Sequence, residues 1–274
     1  MATMAKKRRG NDRFDKARGI LLGIVGVLAI LALGGAAYWV SKTKVQLDAQ
    51  TNCPVSGPTA IHAILIDRSD PISPQQGQQI RQIVDGYIAN ARIGERFDLY
   101  VASGDAVNVL APITSVCSPG RGDQASEIYQ NPAMIQAQFE EKFVAVLRDN
   151  LTRLLASATA DSSPILESIR AAAVSSFGAI EPGKIPLQMT VVSDFVQHTP
   201  GNSHFRGETN FDDLAKRPVW RQLQANLKGA TVNALYLSRA SAVRSGRPIQ
   251  DRGHQLFWEK AIQSSGGDVR FTLL

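Results

Sequence analysis

The sequence predicts an α/β fold: a doubly wound, mostly parallel six-stranded sheet with one antiparallel edge strand, preceded by one N-terminal transmembrane helix. Three observations lead there. Beyond residue 58, strand-length apolar runs alternate with segments of helical period, which argues for a sheet covered by helices on both faces. One neighbouring pair of strand segments is joined by a link too short for a crossover, so one strand runs antiparallel. Finally, Gly19–Val40 holds 22 residues without a charge, and roughly 20 suffice to cross the hydrocarbon core.

The elements follow in order. Residues 1–18 form a basic tail with seven Lys or Arg against two Asp, so +5 of the chain's formal +6 lies there. The remainder is nearly neutral, without the basic patch that a nucleic-acid-binding domain needs. The span 19–40 ends in Tyr38 and Trp39, residue types that favour the membrane interface. The apolar region of a cleaved signal peptide is about 7–15 residues, so the span reads as an uncleaved anchor. The charge ahead of it places the N-terminus in the cytoplasm by the positive-inside rule. The rest of the chain is then expected outside, in a periplasm or the extracellular space. Gly19 and Gly23 have the spacing of a helix-packing motif but sit at the membrane edge.

Residues 41–58, with Pro54, Gly57 and Pro58, read as a linker, and 59–274 as the folded domain. Thr59–Asp67 is a continuous apolar run that suits a strand buried on both faces. Ser73 and Pro74 can then start a helix, with Ile80, Ile83, Val84, Tyr87 and Ile88 on one face. Arg96–Ser103 is a second strand. Ala106–Val116 is a third, and Pro112 marks it as an edge. Ala133–Ala158 reads as one long helix, and another opens near Ser163. Ile185–Phe195 is a buried strand. Phe211–Leu227 is helical but interrupted at Pro218. Thr231–Arg239 is a strand, His254–Gly267 a helix with a glycine stop, and Asp268–Leu274 the last strand.

Cys53 and Cys117 are the only cysteines, and both lie beyond the anchor. Outside the cytoplasm they are expected to pair. Both fall at the amino end of the parallel strands. Strand two is expected to lie between them, so the loops have to close the distance.

Two strands end in acid: Ile66-Asp67-Arg68-Ser69-Asp70-Pro71 and Val192-Ser193-Asp194-Phe195. Ser163-Pro164 precedes a helix on the same side of the sheet. Ligands of doubly wound sheets bind beyond the carboxyl ends of the parallel strands, which is where these residues fall. Two carboxylates and two hydroxyls from separate loops suit a hard cation that keeps several waters. His62, inside an apolar strand, reads as packed; His198, His204 and His254 are scattered in the chain. No P-loop, nucleophile elbow, Cys-x-x-Cys or dinucleotide fingerprint is present. Arg121-Gly122-Asp123 reproduces a cell-adhesion tripeptide, but three residues recur by chance too often to carry weight.

The element order and these motifs resemble the von Willebrand factor A domain over residues 59–274. The family's metal-ion-dependent adhesion site opens with Asp-x-Ser-x-Ser; here Asp67 and Ser69 match, while Pro71 replaces the second Ser. Its second piece is a Thr, here Ser163. Its third is an Asp after strand four, often in Ser-Asp-Gly, here Ser193-Asp194-Phe195. The resemblance implies Mg2+ or Mn2+ held by Asp67, Ser69, Ser163 and Asp194 in a degenerate site. Asp70 or Ser73 would stand in for the missing ligand, and Arg68 is a candidate for positive charge nearby. It implies a membrane-anchored protein that binds another protein, through a partner's carboxylate, and not an enzyme. Two alternatives stay open: a metal-dependent hydrolase using Asp67 and Asp194, for which the motifs offer no general base, and a structural anchor with a dead site.

Overall fold

The eight residues Ala60–Asp67 are all buried, as a strand sandwiched between two helical layers requires. In the computed structural model the described residues are 8–43, 47–48, 51–102, 111–124, 131–156 and 160–274. One helix, α1 (Arg8–Thr43), holds a stretch, Ala17–Ala36, with a mean hydropathy of 2.5. It is long and apolar enough to cross a membrane. Leu47–Leu274 forms a separate compact unit, so part of the span expected to be linker is folded with the domain.

The unit contains β1 (Ala60–Asp67), α2 (Pro74–Ala89), β2 (Glu95–Ala102) and β3 (Thr114–Cys117). Next come α3 (Pro132–Phe139), α4 (Ala145–Leu154), α5 (Ile165–Phe177) and β4 (Leu187–Ser193). After them run α6 (Phe211–Lys216), α7 (Trp220–Leu223), β5 (Thr231–Tyr236), a small hairpin β6 (Val243–Arg244) and β7 (Arg247–Pro248), α8 (Arg252–Ser264) and β8 (Asp268–Leu273). The main sheet has six strands in the order β3-β2-β1-β4-β5-β8, parallel except for β3. The expected α/β sheet with one antiparallel edge is therefore present. The β6–β7 hairpin had no signal beyond Ser245-Gly246.

Local chemistry explains the boundaries. Ser73 accepts the Gln76 amide at 3.2 Å while Gln76 Oε1 accepts the Ser73 amide at 3.3 Å, a capping box at the start of α2. The expected helix 133–158 is broken into α3 and α4 by a π-turn, Glu140–Val144, that keeps Phe139, Phe143, Leu147 and Leu151 buried together. Pro218 separates α6 from α7, as its missing amide demands. Strand β3 begins at Thr114, although 111–113 were expected in it; residues 106–110 of the expected strand lie outside the described residues, as do 157–158 of the expected helix 133–158.

Side chains alternate between two cores. Ile61, Ala63 and Leu65 of β1 pack with α5, α7 and α8 on one face. Ile64 and Ile66 pack with α2 and α4 on the other. Ala171, Ala172 and Ala173 are fully buried, so α5 lies close on the sheet.

Cys53 and Cys117 are bridged, with Cα atoms 4.8 Å apart. The expectation that β2 would lie between them is corrected. The Cys117 amide, turned away from β2, donates to the Thr51 carbonyl at 2.8 Å. The 51–53 segment therefore runs along the outer edge of β3, and no strand intervenes.

Candidate functional site

Strand order reverses between β1 and β4, which opens a crevice beyond their carboxyl ends. Asp67 is the last residue of β1 and is 6% exposed. Its Oδ1 accepts the Ser69 amide at 2.9 Å, a side-chain turn that folds the chain back after the strand. Its Oδ2 accepts the Ser193 hydroxyl at 2.8 Å and the Ser163 hydroxyl at 3.3 Å. Ser69 Oγ donates to Ser163 Oγ at 3.1 Å. Ser163 is held in place by the backbone of His198, through its amide (3.0 Å) and its carbonyl (2.9 Å). Gln197 Oε1 accepts the Leu166 amide at 3.0 Å and secures the start of α5.

Asp194, one residue beyond β4, is 4% exposed. Its Oδ1 accepts the Val196 amide at 2.8 Å. Burial raises its pKa to about 7; the Asp67 and Asp70 charges push the same way, and the Val196 amide and Arg239 oppose it. The following residue, Phe195, adopts a left-handed backbone with φ 62°. This conformation is costly for a residue with a Cβ. It is held by a buried ring stacked on Tyr236 at 5.5 Å, edge-on to Trp258 at 5.1 Å, and by the Phe195 carbonyl accepting Trp258 Nε1 at 2.8 Å.

Asp67, Ser69, Ser163 and Asp194 thus gather at one crevice. A serine hydroxyl that donates its proton keeps lone pairs for a cation. Adjacent oxygens of a Mg2+ octahedron at about 2.1 Å are about 3 Å apart, close to the 3.1 and 3.3 Å separations among Ser69, Ser163 and Asp67. The donor set suits a hard divalent ion: these residues would hold it, and it would supply an open position for an anionic oxygen. Among the described residues, no three His, Cys, Asp or Glu side chains gather as a metal-ligand group, so the hydroxyls are indispensable to any such site.

The remaining candidates fall elsewhere. Ser73 is engaged as the cap of α2. Asp70 is exposed at the mouth. Arg68 does not serve the acids: its Nη2 donates to the Ala156 carbonyl at 3.3 Å. The cation beside them is Arg239, just past β5, whose Nε lies 3.8 Å from Asp194 Oδ2. Nothing in the sequence marked Arg239 or the role of Ser193, because each depends on which strand ends become neighbours.

The histidines scattered in the chain are partly gathered in the fold. His204 Nδ1 and His254 Nε2 are 2.9 Å apart, and His254 Nδ1 is 2.5 Å from the Tyr236 hydroxyl. Burial lowers the pKa of His204, and of His254 to about 4. His62 hydrogen-bonds Thr190 at 2.8 Å, and burial lowers its pKa to about 3. It is packed, as expected. Outside the crevice, Phe205 lies edge-on to the His198 ring at 5.3 Å and is exposed, as are Val243, Arg244 and Arg247 on the hairpin.

No protein-family model and no curated protein sequence matches the chain. What the fold defines is a doubly wound α/β domain with a polar crevice at its switch point.

Proposed function

We propose that the chain is a single-pass, membrane-anchored von Willebrand factor A-type protein that docks another protein outside the cytoplasm. Docking takes place at the crevice of Asp67, Ser69, Ser163 and Asp194, through Mg2+ or Mn2+, with a carboxylate of the partner completing the cation's shell. One observation carries this reading: Ser163 Oγ, just ahead of α5, lies 3.1 Å from Ser69 Oγ and 3.3 Å from Asp67 Oδ2 at the end of β1, with a second carboxylate, Asp194, alongside. The motif resemblance and the strand order support it. The uncharged span behind a basic tail, and a disulfide in the domain, support the topology. Outside the crevice, the exposed Phe205, Val243, Arg244 and Arg247 offer apolar and cationic character, which suits an acidic partner segment.

The test is calorimetric titration of the detergent-solubilised full chain with MgCl2 and MnCl2. Wild type should bind, and Asp67→Ala and Asp194→Ala should lose at least tenfold in affinity while keeping the wild-type circular dichroism spectrum. No heat at millimolar metal in the wild type would overturn the cation reading. A reporter fused after Leu274 should be active only outside the cytoplasm.

A further inference from the structure

Arg239 is tied down from several sides. Its amide donates to Gln250 Oε1 at 2.7 Å, and Gln250 Nε2 donates to the carbonyls of Asp194 and Leu237, each at 2.8 Å. One glutamine thus binds the backbones of residues 194 and 239 together. The Arg239 side chain is 14% exposed, and its Nη1 donates to the Pro71 carbonyl at 2.5 Å. The guanidinium therefore spans from Pro71, where the resemblance expects a hydroxyl ligand, to Asp194.

Its hold on Asp194 is incomplete. Nε is buried without a hydrogen-bond partner and lies 3.8 Å from Asp194 Oδ2, too far for a hydrogen bond. The attraction is Coulombic and not locked by a donor–acceptor pair. Beside it lies a groove of about 590 Å3 lined by Ser73, Gln76, Gln79, Arg239, Ser241 and Leu274. A displaced guanidinium can turn into that space without repacking the core.

We propose that Arg239 is a built-in competitor for the divalent cation: it offsets part of the negative charge of the crevice when no metal is bound and must leave Asp194 for metal to enter. The inference rests on the cation reading above. The charge balance gives its direction. With both acids ionised, Asp67, Asp194 and Arg239 sum to −1, and a divalent ion entering beside a fixed guanidinium would leave the crevice at +1. With the guanidinium swung out, the ion and the two acids balance. Metal affinity is thus reduced by the work of moving Arg239, and removing its charge relieves that work.

The experiment uses the full chain in detergent at pH 8, titrated with MnCl2. Arg239→Gln should bind at least tenfold more tightly than wild type. Arg239→Lys, which keeps a cation, should not exceed wild type. A second measurement protects the test if Arg239→Gln fails to fold: the Nε resonance of Arg239, observed with 15N-labelled protein and diamagnetic MgCl2, should shift in step with metal binding. Equal affinities of wild type and Arg239→Gln, or a bound metal with an unmoved Nε resonance, would overturn the competitor role and leave the cation site standing. No binding by either protein would overturn both.

Discussion

Asp194→Asn tests the electrostatics of the crevice most directly. The side chain is 4% exposed and burial lifts its pKa from 3.8 to about 7. Each pKa unit is about 1.4 kcal/mol, so the ionised carboxylate costs the metal-free fold at most about 4 kcal/mol. The sign follows from linkage. Because the folded pKa is raised, the folded state keeps its proton more tightly than the unfolded chain does. Stability is fully present below the unfolded pKa near 4 and is lost as pH rises through about 7. Asparagine has no proton to lose and can still accept the Val196 amide. In chelator at pH 8 the variant should be more stable than wild type by roughly 2–4 kcal/mol; at pH 4 the two should agree. For a domain of this size that corresponds to a rise in midpoint of several degrees, at about 2–4 °C per kcal/mol. Saturating Mg2+ should reverse the order, since metal stabilises only the form that binds it. The assay is thermal unfolding of the full chain in detergent, followed by the fluorescence of Trp220 and Trp258. A variant no more stable than wild type in chelator at pH 8 would refute the reasoning.

Three further outcomes are expected. Reducing the Cys53–Cys117 bridge, which closes a separation of 64 residues, should cost about 4 kcal/mol in the chain-entropy model, read as a lower urea midpoint in reductant; an unchanged midpoint would count against it. His62, His204 and His254 are buried and neutral, with folded pKa values below 6.5. Their contribution is present above pH 6.5 and is lost as pH falls through the lowered folded values, about 3 for His62 and about 4 for His254, so His62→Gln should flatten the acid limb of a stability-against-pH curve. Phe195→Ala should destabilise by about 3–5 kcal/mol through loss of a buried ring, and Phe195→Gly should be the better tolerated of the two by about 1 kcal/mol. The order inverts the usual alanine preference because φ is 62° there.

Much of the fold was legible because its signals are local. The buried run Thr59–Asp67, the Ser73-Pro74 helix start and the stop at Pro218 each act within a few residues, and the alternation of strands and helices then leaves few topologies. What escaped depends on long-range placement. The π-turn at Glu140–Val144 answers to how Phe139 and Phe143 meet the sheet. The path of 51–53 along β3 answers to an edge that only the assembled sheet defines.

The crevice divides along the same line. Asp67, Ser69, Ser163 and Asp194 were legible as strand-end and helix-start residues because a doubly wound sheet brings its carboxyl ends to one side. Arg239 was not legible, since an arginine after a strand has no local mark; only the neighbouring of β4 and β5 carries it to Asp194. Phe195 joins the two levels. A glycine after Asp194 would take the left-handed backbone at no steric cost, yet here the turn is made by an aromatic ring. That ring packs against Tyr236, Trp258 and Phe271. The position of Asp194 is therefore enforced by the core beneath it and not by a flexible turn. A cavity made under the crevice should loosen the carboxylate as well as the fold, so Phe195→Ala should change the affinity for Mn2+ although residue 195 offers no side-chain ligand.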